Sequence, residues 1–415
     1  MIKTVRSRIT DLRGVSRMAI NAIAGVVSLV ETLHLSIAKK SSVLAGPLGG
    51  TIEATTAAVY KSIHHMTRAV GAGLDQALGA VGPALRELES SPLREAVVAA
   101  LNGVLGDYLA ESGNPLAIAM HLRRDGKPLV LTSEGIAATV GAPSGKVLVL
   151  VHGLCMNDLL WERNGHDHGA ALARDLGFTA VYLHYNSGLH VSSNGRELAA
   201  LLDELIAAWP VPIAELDILA HSMGGLVVRS GHYYASAAAR AWPAKLRKIV
   251  FLGTPHDGVP LERFGHWLNV LWDRTVFTAP FARLGKVRSA GITDLRHGYV
   301  LDEDWEGRDR FAKDAPARRP LALPEGVECY AIAATIARAE APLREQWLGD
   351  GLVPVPSALG RHRDPKLTLA FPAAHQWTAY GANHLDLLSR ADVYERIREW
   401  LAERAHPSSG CPFGN

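Results

Sequence analysis

Five short, mostly apolar runs, at 147–151, 180–184, 216–220, 249–252 and 327–332, constrain this chain more than any other feature of it. Several are rich in Val and Ile, and stretches of helical character at 169–176, 195–209 and 225–240 fill the gaps between them. A strand that is apolar along its whole length must be covered on both faces, and helices alternating with such strands supply that cover. From Lys146 onward the pattern therefore predicts an α/β fold with a mostly parallel central sheet and helices on both faces.

The third run leads into Ala220-His221-Ser222-Met223-Gly224-Gly225, and a helix-like Leu226-Val227-Val228-Arg229 follows. A buried strand, a turn of small residues around one serine and then a helix is how a serine hydrolase presents its nucleophile. The reason is steric: the serine sits on a strained turn, and the positions two before and two after it must be small because strand and helix nearly touch there. Those positions are Ala220 and Gly224, so Ala220 departs by one methyl from the commoner form with glycine at both. A helix starting after Ser222 turns its first N–H groups and the positive end of its dipole toward the site, with Met223 as one oxyanion donor. A serine capping a buried helix has much the same local pattern, so the reading depends on finding partners elsewhere.

A serine nucleophile needs a base to take its proton and a carboxylate to orient that base. Asn383-His384-Leu385-Asp386 places a histidine in a loop ahead of a helix expected to run to about 405, and Gly349-Asp350-Gly351-Leu352-Val353-Pro354 places an aspartate in a glycine-flanked loop. Upstream, Val151-His152-Gly153-Leu154 follows the first run, and a His-Gly turn there lets the N–H of Leu154 face the nucleophile, with the His152 imidazole bracing the turn. Rival bases are His256 and His375. Rival acids are Asp217, inside the strand leading to Ser222, and Asp386, expected in the first turn of the last helix where a carboxylate favours the dipole. His166-Asp167-His168 has two candidate metal ligands but no evident third, and reads as a solvated stretch.

These separated motifs, together with Leu252-Gly253-Thr254-Pro255-His256, resemble the lipase and esterase branch of the α/β-hydrolase superfamily over about 145–403, closest to bacterial triacylglycerol-lipase-like proteins and the GPI inositol-deacylase-like group. The resemblance implies ester hydrolysis through an acyl-enzyme, with Ser222, Asp350 and His384 as the triad, Leu154 and Met223 as oxyanion donors, and no cofactor or metal. Ala220 is shared with some lipase families. The order serine, acid, histidine is that of the α/β-hydrolase fold. Acyl transfer, polyester cleavage and thioester cleavage use the same triad and stay open, as does a non-catalytic lipid-surface binding protein.

The rest of the chain sets the organisation. Residues 1–110 are expected to be helical, 111–145 to hold a hairpin around Asp125-Gly126, 146–405 to form the hydrolase domain with a cap at 258–323, and 406–415 to be a disordered tail. Trp267, Trp272, Phe277 and Phe281 fall in the expected cap, a lining suited to an acyl chain. With 43 basic against 41 acidic residues, nothing in the charge argues for nucleic acid. Cys155, Cys329 and Cys411 are far apart and odd in number, which favours a reducing, cytoplasmic setting over a disulfide framework. Four arginines precede the apolar 18–30, but Asp11 lies among them, Glu31 and His34 follow, and no small-x-small cleavage pattern comes next, so a secretory leader is not expected. The apolar faces behind this basic start could rest on a lipid surface.

Overall fold

A computed structural model of the chain describes residues 92–259, 289–308, 318–342 and 349–402. The chain divides into two compact units, Met1–Glu95 with Gly265–Arg288 and Ala96–Phe264 with Ser289–Asn415, and nearly all described residues belong to the second. The expected helices before residue 92, the cap aromatics at 267–281 and the tail at 406–415 lie outside the described residues.

In chain order the elements are α1 (Pro92–Glu111), β1 (His121–Arg124), β2 (Lys127–Pro128), α2 (Ser133–Val140), β3 (Lys146–Val151), α3 (His168–Leu176), β4 (Thr179–His184), α4 (Val191–Ala208), β5 (Glu215–His221), α5 (Met223–Ala237), β6 (Leu246–Leu252), α6 (Ala290–His297), β7 (Glu328–Thr335), the single turn α7 (Val355–Ala358), β8 (Gln376–Tyr380) and α8 (Ala391–Ala402). One eight-stranded sheet runs β2-β1-β4-β3-β5-β6-β7-β8. Its members from β4 to β8 pair in parallel, while β1 pairs antiparallel with β4 and β2. The five expected strands are all present. In β3, β5 and β6 consecutive residues such as Leu148, Val149 and Leu150, or Ile218 and Leu219, are fully buried although their side chains leave opposite faces of the sheet. Helices therefore cover both faces, as the unbroken apolar runs require.

The hairpin forms at Asp125-Gly126, both with positive φ (51° and 71°) as a tight two-residue turn demands, and Arg124 pairs with Lys127. Its second arm is shorter than expected. After Pro128 the chain bends at Thr132, whose side chain caps α2 by accepting from Gly135 N–H at 3.0 Å. Helix α4 begins at Val191 rather than 195, because Ser192 and Asn194 are buried and bonded: Trp305 Nε1 donates to Ser192 Oγ at 2.9 Å and Asn194 Nδ2 to the Asn186 carbonyl at 3.0 Å. Strand β8 was not expected; it is the sheet edge, and only Ala379 of its five residues is buried.

Helix α1 is buried on nearly every side between Val97 and Gly106. Two glycines explain how it packs so closely. A Cβ at Gly103 would lie 2.3 Å from Cys155 Sγ, and one at Gly106 would lie 1.9 Å from Asn186 Oδ1. Asn102 ties the helix to the next segment by donating to the Leu116 carbonyl (2.7 Å) and accepting from Ile118 N–H (2.9 Å). Among the described residues no helix is long and apolar enough to cross a membrane.

Strand order fixes where a ligand site belongs. From β3 the chain steps outward to β4, then returns to place β5 on the other side of β3. Such a reversal opens a crevice beyond the carboxyl ends of the two strands. The last paired residues there are Val151 and Ala220, so the crevice is bounded by His152-Gly153 on one side and His221-Ser222 on the other.

Candidate active site

Ser222 joins β5 directly to α5 with φ 55° and ψ −127°, a left-handed conformation that a non-glycine residue adopts only under constraint. Three close approaches supply the constraint. Ser222 N–H donates to the Leu252 carbonyl at 2.8 Å. A Cβ at Gly224 would lie 2.4 Å from the Val151 carbonyl oxygen and 2.6 Å from that of His152, and one at Gly153 would lie 2.9 Å from Ser222 Cβ. Gly224 is thus required by backbone contact and Gly153 by its approach to the Ser222 side chain, whereas Ala220 is accommodated in the strand. Ser222 Oγ is buried and makes no hydrogen bond to a described residue. The fifteen-residue helix α5 starts at Met223, so its free N–H groups and dipole point at this corner.

Asp350 and His384 meet from two loops. His384 Nδ1 lies 2.7 Å from Asp350 Oδ2, and both residues are buried. The other carboxylate oxygen accepts from Leu352 N–H (2.9 Å) and Val353 N–H (2.8 Å), and the Asp350 carbonyl accepts from His384 N–H (3.2 Å). Gly349 (φ 83°) and Gly351 (φ 94°) give the tight turn that wraps these donors round the carboxylate. Because a carboxylate accepts, His384 carries its proton on Nδ1 and Nε2 is the basic atom. The ring packs on the corner after β6: a Cβ at Gly253 would lie 3.0 Å from His384 Cε1. Ser222 is hydrogen-bonded to Leu252, the neighbour of Gly253, so Ser222 and His384 flank the same two residues.

The turn after β3 faces Ser222 through Gly153. His152 Nδ1 lies 2.9 Å from the Gly153 carbonyl oxygen, its ring stacks on Tyr185 at 4.4 Å, and Tyr185 Oη donates to the His152 carbonyl at 2.8 Å. Burial drives the His152 imidazole down to about 3, so it is neutral and braces the turn. Cys155 holds a positive φ of 59° and donates its N–H to Ser187 Oγ at 3.0 Å. Neither Leu154 nor Met223 N–H bonds another described residue, and both residues are fully buried. Tyr185, Ser187 and α1 behind Cys155 support this turn without any local sequence signature.

The rivals fall elsewhere. His375 precedes β8 at the amino end of the sheet, with Nδ1 3.2 Å from the Cys329 carbonyl oxygen. His256 is wedged between Phe251 and Phe371, and burial holds it well below the ordinary imidazole range. Asp217 lies in the first half of β5, accepting from Lys248 N–H at 3.0 Å. Asp386 opens a 3-10 turn (Asp386–Leu388) rather than α8, and bonds Asn383 N–H at 2.9 Å. Asp167 caps α3 by accepting from Ala170 N–H at 2.9 Å, so His166-Asp167-His168 is a helix start and not a solvated stretch, and His168 is fully buried. No cluster suited to a metal ion occurs among the described residues.

A strand-serine-helix corner at the reversal of a mostly parallel eight-stranded sheet defines the α/β-hydrolase fold for this chain. A domain of unknown function, DUF7379, matches residues 127–294. No curated protein sequence matches the chain. Among solved structures it is similar to the mature Bacillus licheniformis lipase BlEst2, at 15% identity and a TM-score of 0.39, covering 68% of this chain and 97% of that one. It is also similar to Aspergillus fumigatus lipase B, at 11% identity and a TM-score of 0.40, covering 66% and 58% respectively. A third is the NocB thioesterase domain, at 12% identity and a TM-score of 0.37, covering 68% and 100%.

Proposed function

We propose that this chain hydrolyses carboxylic esters of apolar acyl groups through an acyl-enzyme on Ser222. The observation that carries the reading is the 2.7 Å bond from His384 to Asp350 on the same backbone corner that holds Ser222 at positive φ. In the forward half-reaction His384 Nε2 takes the proton of Ser222 Oγ as the oxygen attacks the ester carbonyl. The N–H groups of Leu154 and Met223 stabilise the oxyanion, each worth about 3 kcal/mol in the transition state. Collapse of the tetrahedral species expels the alcohol, which takes the proton from His384. Water then attacks the acyl-enzyme with His384 again as base, releasing the acid and restoring Ser222. Asp350 holds the imidazole tautomer and offsets its charge throughout.

The reading takes a small-molecule or lipid ester as its partner and no nucleic acid. It puts the protein in the cytoplasm with peripheral lipid contact through the N-terminal residues ahead of α1, which flotation on liposomes tests. The direct experiment is hydrolysis of p-nitrophenyl esters from short to long acyl chains by the wild type and Ser222→Ala. Activity confined to the wild type supports the serine mechanism, and the chain length of the optimum sorts esterase from lipase. Product analysis with an added alcohol separates hydrolysis from acyl transfer, and a thioester substrate tests that alternative. A folded wild type inert on every ester, yet bound to liposomes, would leave the non-catalytic binding protein.

A further inference from the structure

In the serine-hydrolase reading the loop that carries His384 must keep its imidazole at one position relative to Ser222 to within a fraction of an ångström, and several of its own hydrogen bonds are local. Asn383 Oδ1 accepts from Leu385 N–H (2.9 Å) and Asp386 N–H (3.1 Å), and Leu388 N–H reaches the Leu385 carbonyl at 3.2 Å. These turns shape the loop, and its main chain meets the sheet and the acid loop through Ala382 N–H to the Thr335 carbonyl (2.9 Å) and His384 N–H to the Asp350 carbonyl (3.2 Å). Two buried imidazoles hold it further, from two other elements. His221 Nε2 lies 3.2 Å from the His384 carbonyl oxygen, and His168 Nε2 lies 2.9 Å from the Leu387 carbonyl oxygen.

We propose that His221 and His168 are positioning residues for His384, each donating its Nε2–H to a carbonyl of the loop and together clamping it to the end of β5 and the start of α3. The proposal rests on the serine-hydrolase reading. A carbonyl oxygen only accepts, so in both rings the proton sits on Nε2. Both rings are fully buried, and burial keeps them neutral: His221 is driven well below the ordinary imidazole range and His168 to about 4. With one proton each, the tautomer is set. His168 Nδ1 is then an acceptor, and His166 Nε2, 2.8 Å away, must be the donor to it. The resulting relay runs from His166 through His168 to the Leu387 carbonyl.

His221 has a second consequence because it is the residue before Ser222. Its ring centroid is 4.7 Å from that of His384, and its Nδ1 lies 3.3 Å from where a Gly153 Cβ would be. One side chain therefore touches the base loop, the turn after β3 and, through the peptide bond, the nucleophile. The six-residue motif around Ser222 thus contributes more than the serine and its small neighbours.

The test compares His221→Leu, His221→Gln, His168→Leu and His168→Gln with the wild type on p-nitrophenyl butyrate, with Ser222→Ala in parallel. Glutamine can place an amide N–H near the position of Nε2, whereas leucine offers no donor. The leucine variants are expected to lose on the order of 10²-fold in kcat with KM changed less than about twofold, as misplacing a catalytic group by about 1 Å does. The glutamine variants are expected to recover most of that loss. Wild-type kcat in the leucine variants would overturn the proposal, and so would equal losses in leucine and glutamine variants. Should a variant fail to fold, nitrogen NMR of the wild-type imidazoles decides instead. Neutral rings protonated on Nε2 at both positions from pH 5.5 to 8 are expected, and an Nδ1–H tautomer or an imidazolium would refute the clamp. Full activity in Ser222→Ala would refute the hydrolase reading separately, since the NMR result would still report on the two hydrogen bonds.

Discussion

Replacing Gly224 by alanine adds one methyl to the backbone contact between the start of α5 and the end of β3. That methyl would stand 2.4 Å from the Val151 carbonyl oxygen and 2.6 Å from that of His152. Side-chain carbons essentially never approach closer than 3.0 Å, so the start of α5 and the end of β3 must separate by at least about 0.6 Å. No flexible side chain can yield, because both obstacles are main-chain atoms. Overpacking of this kind costs roughly 1–3 kcal/mol of stability. The larger effect is expected on catalysis, since the separation displaces Met223, at the start of α5, from Leu154, in the turn after β3, the two residues proposed to donate to the oxyanion. With about 10²-fold lost per ångström of misplacement, kcat should drop between tenfold and 10²-fold. Urea denaturation supplies the stability change, and steady-state p-nitrophenyl ester hydrolysis supplies kcat. Ala220→Gly is the control, because it removes a methyl from the other small position without a backbone clash. A Gly224→Ala enzyme with wild-type kcat would refute the steric reasoning.

Other consequences follow from the same structure. In Asp350→Asn the side-chain oxygen would stay on the Leu352 and Val353 N–H groups, turning the amide NH₂ toward His384 Nδ1 and forcing the opposite tautomer. Steady-state kinetics should then show kcat down roughly 10⁴-fold with little change in KM. His152, held at about 3 when folded against 6.5 when unfolded, binds no proton in the native state while the unfolded chain does. It therefore contributes stability above pH 6.5 that is lost as pH falls toward 3, at about 1.4 kcal/mol per pH unit. Urea midpoints from pH 7 to 5 should fall less steeply in His152→Gln than in the wild type, and parallel slopes would contradict this. Burial pushes the thiols of Cys155 and Cys329 up to about 12, so both should escape iodoacetamide at pH 8 in the folded protein and react once it is unfolded, as peptide mass spectrometry would show.

The sheet was legible in the sequence because its central strands are buried on both faces. An unbroken run such as Val147-Leu148-Val149-Leu150-Val151 has little other use in a chain already rich in helices. Strand β8 escaped because an edge strand mixes Gln376, Trp377 and Thr378 with little burial. The start of α4 was hidden for the opposite reason: Ser192 and Asn194 look like loop residues, and only tertiary partners make them helical. At the site, Ser222, Asp350 and His384 could be singled out because each sits in a turn with its own local signature. His221, His168, Tyr185 and Ser187 could not, since what they do depends on a carbonyl or an N–H from a distant segment. Helix α1 illustrates the same limit. Its helical character is legible in the sequence, but nothing in it announces that Gly103 lies against Cys155 in the turn facing the nucleophile.

The claim that Ser222 is the nucleophile is tested most directly by covalent capture with a fluorophosphonate, followed by intact-mass and peptide mapping. The expected result is one adduct per chain, on Ser222, formed with loss of ester hydrolysis and absent from Ser222→Ala. An adduct on another residue, or full hydrolytic activity in the Ser222→Ala protein, would contradict the account.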